Sequence, residues 1–333
     1  MTGPRVSIIV PSFNMCDELA QLLTGATVLN LAAPVTEFLV VDDGSSDRTA
    51  EMVLRATETF PIPLRLVRLE RNQGRFLARL RGAEVATGET LLFLDARVQL
   101  LTNRPLITPD LTEGHPVIQG AVDIDVSESL FNRYWDLSHR FLFHRHYRDI
   151  RAGFHLTGEN FEDYTAGTGI LACRRDLFLA AARSFAAAPL SDDRELIRRI
   201  CDLHPAWVTE TLRVGWRPRQ RLLPYLLRLW ERGPSFVEYH VFRPGTAFRW
   251  PIYAGIFMLL ALGVIAVGVP HRLGTALAAL TALIWLSVVI FARHPLDALR
   301  LAPLHFVVVL SFGMGVLRGL LRQGLRRLSG AAP

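Results

Sequence analysis

Two runs of twenty residues without a single charge, Trp250–Val269 and Leu273–Ala292, limit what this chain can become. As helices, each is long enough to cross a hydrocarbon core of about 30 Å. Only Pro270–Arg272 lies between them, which predicts a tight helical hairpin. The alternative is a buried hairpin of a soluble protein, and uncharged runs of this length argue against it. A third run, Leu301–Leu317, is shorter, contains His305 and is followed by Arg318, Arg322, Arg326 and Arg327. Positive charge favours the cytosolic side. That bias predicts two crossings, with the third segment lying in the interface or re-entrant.

Charge is distributed unevenly. From Arg243 onward there are nine arginines and one acid, Asp297, a net charge of +8, whereas the first 242 residues carry −2. The overall +6 therefore belongs to an apolar tail, as expected for anchoring against an anionic leaflet. Nucleic acid is not an expected partner, because the globular part has no cationic field. All 37 basic residues are arginine. Schiff-base catalysis and a Walker A phosphate loop, which need lysine, are excluded. Three widely spaced cysteines, Cys16, Cys173 and Cys201, make neither a disulfide framework nor a zinc site.

The first hundred residues alternate between two periodicities. Val6–Val10, Glu37–Val41, Leu64–Leu69 and Thr90–Leu94 read as strands, the first two apolar enough to be buried on both faces. Asp17–Leu31, Thr49–Thr59 and Gly74–Thr87 read as helices. Such alternation predicts a mainly parallel sheet with helices on both faces. Ligands of such sheets bind beyond the carboxyl ends of the strands. Asn14, Asp42, Asp43 and Asp95 all fall at those ends. No G-x-G-x-x-G follows the first strand, which disfavours a dinucleotide site.

Four elements in order carry a family resemblance: VSIIVPSFN (6–14), FLVVDDGSSDRT (38–49), the run Asn72, Gly74, Ala78, Arg79, Gly82, Ala86, Gly88, Glu89, and LLFLDAR (91–97). SDDREL (191–196) adds an acidic motif. Over about residues 5–200 the chain resembles the family-2 glycosyltransferases, whose fold is GT-A, Rossmann-like α/β. The resemblance implies a nucleotide-sugar donor held by Asp42, Asp43, Arg79 and Asp95, with Pro11, Phe13 and Asn14 at the pocket edge. It implies Asp193 as the catalytic base of a single, inverting displacement. Gly167, Thr168 and Asp192 fall on the acceptor side. A helix cap at Asp193, a simple turn at Asp43-Gly44, and a solvated Arg79 are the plain structural alternatives.

One element departs from the family pattern. The usual D-x-D reads Asp95-Ala96-Arg97 here. Three readings follow. Asp95 binds Mg²⁺ or Mn²⁺ with help from the diphosphate and water; or Arg97 itself clamps phosphate; or Arg97 points away and another acid, Asp123 or Asp125, serves as ligand. The change also raises the possibility of a non-catalytic nucleotide-sugar-binding or scaffold protein.

The hydrophobic tail resembles that of membrane-anchored members. It implies transfer to a lipid-linked or cell-envelope glycan acceptor, with polyprenyl phosphate as the alternative acceptor, at a bacterial inner membrane with the catalytic domain cytosolic. The expected organisation is a GT-A catalytic domain over 1–215, an amphipathic interfacial segment over 216–248 and a membrane anchor of two to three helices over 249–333. Two smaller readings complete the set. His139, His144 and His146 lie on an amphipathic helix rather than at zinc. The stretch Leu229–Gly233 is similar to part of a processive-enzyme motif that is not intact here.

Overall fold

The computed structural model describes residues 4–29, 31, 34–103, 105–112, 114–183, 193–219, 221–241 and 249–328. The elements run β1 (Val6–Ser12), α1 (Cys16–Val28), β2 (Val35–Asp42), α2 (Thr49–Ala56), β3 (Leu64–Arg68), α3 (Arg75–Val85), β4 (Thr90–Leu94), β5 (Val98–Gln99), α4 (Pro109–Thr112) and β6 (Val117–Asp123). They continue with α5 (Leu130–Leu142), α6 (His144–Asp149), β7 (Phe154–Leu156), β8 (Ile170–Arg174), α7 (Arg175–Arg183), α8 (Asp193–Leu203) and β9 (Ala206–Trp216). Four helices close the chain: α9 (Leu222–His240), α10 (Arg249–Gly268), α11 (Leu273–Phe291) and α12 (Pro295–Leu328). Two compact units result, one of Met1–Asp125 with Phe143–Pro218, the other of Val126–Leu142 with Arg219–Pro333.

The first unit is built on one sheet of order β3-β2-β1-β4-β8-β6-β9-β5, with β7 also paired to β9. β3, β2, β1 and β4 are parallel, as the alternation predicts. Beyond β4 the sheet is mixed: β8 runs antiparallel to both β4 and β6, while β6 and β9 are parallel. The runs without polar alternation are explained by two cores, one on each face. Ile9, Leu39, Val41, Leu91 and Phe93 pack with Phe76 and Ala78 of α3, Phe178 of α7 and Leu196 of α8. Ile8, Val10, Phe38, Val40 and Leu92 pack with Leu19, Leu22 and Leu23 of α1 and Val53 of α2. α3 can lie this close because Gly82 has no Cβ; one there would sit 2.6 Å from Ile9 Cγ2.

Strand β1 runs further than its apolar pattern. Pro11 sits opposite Val41 and Ser12 opposite Asp42, so the strand ends after Ser12 rather than at Pro11. The histidine-rich segment is likewise two helices rather than one, broken at Phe143 (φ −118°). His139 stacks on Trp135 in the second unit, and His146 is buried in the first.

In the second unit, α11 and α12 are long and apolar enough to cross a membrane, the two such helices found among the described residues. α12 spans 34 residues, well beyond the expected Leu301–Leu317, because it continues through Arg300 and accommodates Pro303. α9 runs parallel to it. The Ser311 hydroxyl donates to the Leu226 carbonyl, Gly315 lies against Trp230 and Gly233, and Gly319 against Pro234 and Val237. A Cβ on Gly233 would fall 2.0 Å from the Gly315 carbonyl carbon. The amino-terminal half of α12 packs with α5 and α11: Tyr134, Leu137 and Val288 join Ala298, Leu301, Ala302 and Val308 in one cluster.

Candidate active site

The parallel strands β1, β2 and β4 end at one edge of the sheet, and the antiparallel β8 begins there. Local chemistry ties the loops of this edge together. Asn14 adopts a left-handed conformation (φ 51°) that asparagine tolerates better than most residues. Its Oδ1 accepts the N–H groups of Ser46 (2.8 Å) and Asp47 (3.3 Å), and its own N–H donates to Ser45 Oγ (2.9 Å). Asp47, just ahead of α2, accepts both the N–H and the hydroxyl of Thr49. Pro11 is half-buried, and Phe13 is exposed beside Asn14.

Asp42 and Asp43 are both buried, and both anchor backbone. Asp42 Oδ1 accepts the Ser45 N–H (2.9 Å). Its Oδ2 makes no hydrogen bond and faces Arg68 Nε at 3.4 Å. Asp43 accepts the Gln73 and Gly74 N–H groups, each at 2.8 Å, one on each carboxylate oxygen. Burial, together with the charge of Asp42, holds the Asp43 carboxyl above its ordinary pKa despite those two donors. Gly44 between the strand end and this loop is required: φ is +73°, and a Cβ would lie 2.6 Å from the Arg71 carbonyl carbon.

At the end of β4, Asp95 folds onto its own loop. Its Oδ1 accepts the Arg97 N–H (3.0 Å), and its N–H donates to the Gly169 carbonyl (3.3 Å). The Arg97 side chain is nearly buried and reaches Glu18 of α1 at 3.5 Å, while its Nε has no partner. Asp123 is held by Arg213 through two bonds of 2.9 and 2.8 Å, so it is not an idle carboxylate awaiting a cation. Among the described residues no group of three His, Cys, Asp or Glu could hold a metal ion. A magnesium-type ion does not need one, since such ions commonly take one or two carboxylates and complete their shell with phosphate and water. Asp95, whose Oδ1 is engaged by the loop, fits that minimal role as a single carboxylate at the strand end.

Asp193 opens α8, as the cap reading also predicts, yet its carboxylate is occupied by three partners. Arg79 donates to Oδ1 (2.7 Å), Arg75 to Oδ2 (3.1 Å), and the Thr168 hydroxyl bonds to it as well. Burial pushes this carboxyl up, but the two guanidinium groups win and bring it to about 2. Arg79 is 1% exposed, which overturns the solvated alternative for it. Asp192 and Ser191 lie outside the described residues. Gly167 borders open space, whereas a Cβ on Gly169 would press on Val122 at 3.2 Å.

These contacts make one continuous path. Asp43 holds Gly74; Arg75 follows it and reaches Asp193; Thr168 links Asp193 to Gly169; and Gly169 receives Asp95. Among the described residues, four buried polar atoms along this edge lack a hydrogen-bond partner: Ser12 Oγ, Asp42 Oδ2, Arg79 Nε and Arg97 Nε. Such atoms are costly unless something polar meets them. Sequence reasoning missed Arg75. The structure also binds the Glu159–Tyr164 segment onto α8. Arg194 donates to the Tyr164 and Phe161 carbonyls (2.8 and 2.9 Å), and Arg198 pairs with Glu162 (2.9 Å). The signal was the i, i+4 spacing of Arg194 and Arg198 on one helix face.

Comparison with known proteins agrees with this architecture. Residues 7–168 match the family described as glycosyl transferase family 2. An undecaprenyl-phosphate 4-deoxy-4-formamido-L-arabinose transferase of Klebsiella pneumoniae is 35% identical over 135 residues, 39% of this chain and 40% of the relative. A transferase of the same name from Yersinia pestis is 32% identical over 134 residues, with the same shares. The chain thus spans about two fifths of the length of the curated relatives it matches. A mannosyltransferase from Pyrobaculum calidifontis, solved in complex with GDP-Man and Mn²⁺, is 18% identical with a TM-score of 0.52, covering 99% of this chain and 88% of that one. At that identity the likeness is one of fold. Residues 7–168 are thus similar to glycosyl transferase family 2, and the fold around them is GT-A.

Proposed function

We propose that this chain is a membrane-associated, inverting glycosyltransferase that moves a sugar from a UDP- or GDP-linked donor to a lipid-linked or envelope-glycan acceptor. The observation that carries the reading is the shared sheet edge, where Asp42, Asp43 and Asp95 sit at strand ends, a run of contacts leads from Asp43 and Asp95 to Asp193, and four buried polar atoms have no hydrogen-bond partner among the described residues. Ser12 and Asp42 offer acceptors to the N–H and hydroxyl groups of a base and ribose. The region of Asp95, Arg97 and Arg75 suits the diphosphate. Asp95 would hold Mg²⁺ or Mn²⁺, which when bound offsets charge on the departing diphosphate.

In the transfer, the acceptor oxygen forms a bond to the anomeric carbon as the bond from that carbon to the diphosphate breaks. The acceptor proton passes to an Asp193 oxygen, and the nucleoside diphosphate leaves with the bonding pair. The configuration at carbon inverts. A second reading has its own support. A carboxylate held near 2 is a weak base. A phosphate oxygen acceptor is already ionised and needs no base, and the curated relatives are named for undecaprenyl phosphate.

The membrane arrangement follows from charge. α9 places Arg228, Glu231 and Arg232 beside the middle of α12, and α5 pairs Arg133 with Asp297 at its start. A bundle with charges along most of its length is a poor candidate to cross a bilayer, where each costs about 2.5 kcal/mol or more. In this reading α12, α9 and α5 lie in the interface and the α10–α11 hairpin crosses.

The test is UDP and GDP binding to the full chain in detergent, with Mn²⁺ and then EDTA, followed by the anomeric configuration of the product. Metal-dependent binding and inversion are expected. Binding that survives EDTA moves the phosphate role to Arg97. No binding of either nucleotide, or a retained configuration, overturns the proposal. Asp193→Asn separates the acceptors: a loss of at least about 100-fold in turnover marks a hydroxyl acceptor, and a loss under about tenfold marks a phosphate. Unchanged cellular function of that variant would favour the non-catalytic alternative.

A further inference from the structure

We propose that Arg75 is shared between Asp193 and the donor diphosphate, so that donor binding draws Arg75 away and frees Asp193 Oδ2 for the acceptor. The inference rests on the proposed donor site and names a residue that neither motif nor spacing had singled out. Its basis is a contrast between two arginines one helical turn apart on α3. Arg79 is sealed in, with its side chain 2% exposed and 2.7 Å from Asp193 Oδ1. Arg75 is 34% exposed and 3.1 Å from Oδ2. Moving Arg79 would strand a buried charge, whereas Arg75 is a third exposed to solvent.

Placement supplies the second argument. Arg75 directly follows Gly74, whose N–H is bound by Asp43 at the end of β2. The side chain thus starts on the nucleotide side of the cleft and ends on the base side. Gly74 has φ +93°, and a Cβ there would meet nothing within 4 Å, so space is open beside the start of the Arg75 side chain. A diphosphate carries more negative charge than one carboxylate and offers a planar guanidinium two oxygens at once.

Chemistry supplies the third. Facing Asp193 are Arg75 and Arg79 from α3 and the Thr168 hydroxyl ahead of β8. Its own helix contributes Arg194, whose guanidinium is turned to the Phe161–Tyr164 segment. With both α3 cations in place the carboxylate is a poor proton acceptor. Losing one raises its basicity at the moment the donor is seated. Without a bound donor, Asp193 stays locked.

The arrangement predicts an unusual sign. Asp193 competes with the donor for Arg75, so Asp193→Asn should bind UDP or GDP about three- to tenfold tighter in Mn²⁺ even as turnover falls. Asp193→Glu, which keeps the charge, should bind with wild-type affinity. Arg75→Gln should weaken nucleotide binding at least about tenfold, Arg75→Lys should recover part of it, and Arg75→Gln/Asp193→Asn should lose the gain of Asp193→Asn. Thermal unfolding of each variant in the same detergent reports whether it is folded, and the exposed Arg75 variants keep the test alive if Asp193→Asn is not. If the folded Asp193→Asn shows no gain, or the double variant keeps it, the sharing of Arg75 is wrong while the donor site stands. If the wild-type chain binds neither nucleotide, both fall together.

Discussion

The two units spend their apolar residues in opposite ways. In the first, both faces of the sheet are closed, and Ile8, Ile9, Phe38, Leu39, Leu92 and Phe93 are fully buried. In the second, α11 is the more apolar sequence yet buries only Val288, leaving Leu283, Trp285, Leu286, Val289 and Ile290 exposed. One unit is its own solvent for its apolar side chains, and the other needs a second phase to supply that solvent. The comparison separates what hydrophobicity does in each place. In the sheet it holds the fold together; on α11 it chooses the surroundings.

Close backbone approach is common to both units, and it offers the sharpest test. Gly82→Val would drive a side chain into Ile9 and Val41 between α3 and the sheet. Gly315→Val would press on the Trp230 carbonyl and part α12 from α9. Each should cost on the order of 3 kcal/mol or more, read as a lowered melting transition by calorimetry in detergent. The Gly82→Val loss should be the same in any detergent. The Gly315→Val loss should change with micelle thickness. If both respond alike to detergent, the division between a self-sufficient unit and a lipid-dependent one fails.

A smaller effect should appear in the first unit. His146 is buried among Tyr147, Phe154 and Tyr164, and burial pushes it down to about 4, against the charge of Asp149. The unfolded chain takes up a proton below about 6.5 that folded His146 refuses. Stability therefore falls as pH drops from about 6.5 to about 4, by at most about 3 kcal/mol. Asp193 acts lower, between about 4 and 2, where its stabilising charge is lost. Urea unfolding at pH 7.5 and pH 5 should show the decline, and His146→Phe should flatten it. An unaltered pH dependence in that variant would place the sensitivity elsewhere.

What could be read from the residues and what could not divide along a physical line. Runs such as VSIIV and TLLFL announce buried strands, and the polar and glycine residues that follow them, at Asn14, Asp42-Asp43-Gly44 and Asp95, mark the strand ends where the candidate site lies, because the apolar pattern stops there. Those signals are local. The Arg75–Asp193 pair joins residues 118 apart in sequence through the packing of α3 against α8, and no periodicity encodes it. The antiparallel insertion of β8 beside β4 is of the same kind. Pro11 misled for another reason. It lacks an N–H, which suggested a break, but its register opposite Val41 on β2 carries the strand through it.

The smallest expected effect tests what covers the outer face of α12. Leu310, Met314, Leu317, Leu321 and Leu325 recur every three or four residues, and with Leu296 and Leu299 nearer the start they are all about half exposed or more. Leu39→Ala, at a fully buried site, should cost about 2–5 kcal/mol. Leu321→Ala, at a site 59% exposed, removes the same atoms from a place where nothing in the chain touches most of them. Its cost in detergent should stay under about 0.5 kcal/mol. Combined with Leu325→Ala, it should still leave the calorimetric transition unmoved while weakening retention of the protein by anionic vesicles. The Leu321 site is then a lipid contact, because lipid or detergent fills the space of a lost methyl group without leaving a cavity. A cost of 2 kcal/mol or more would mean that something firmer than lipid packs there, and a second copy of the chain would be the first candidate to examine by sedimentation.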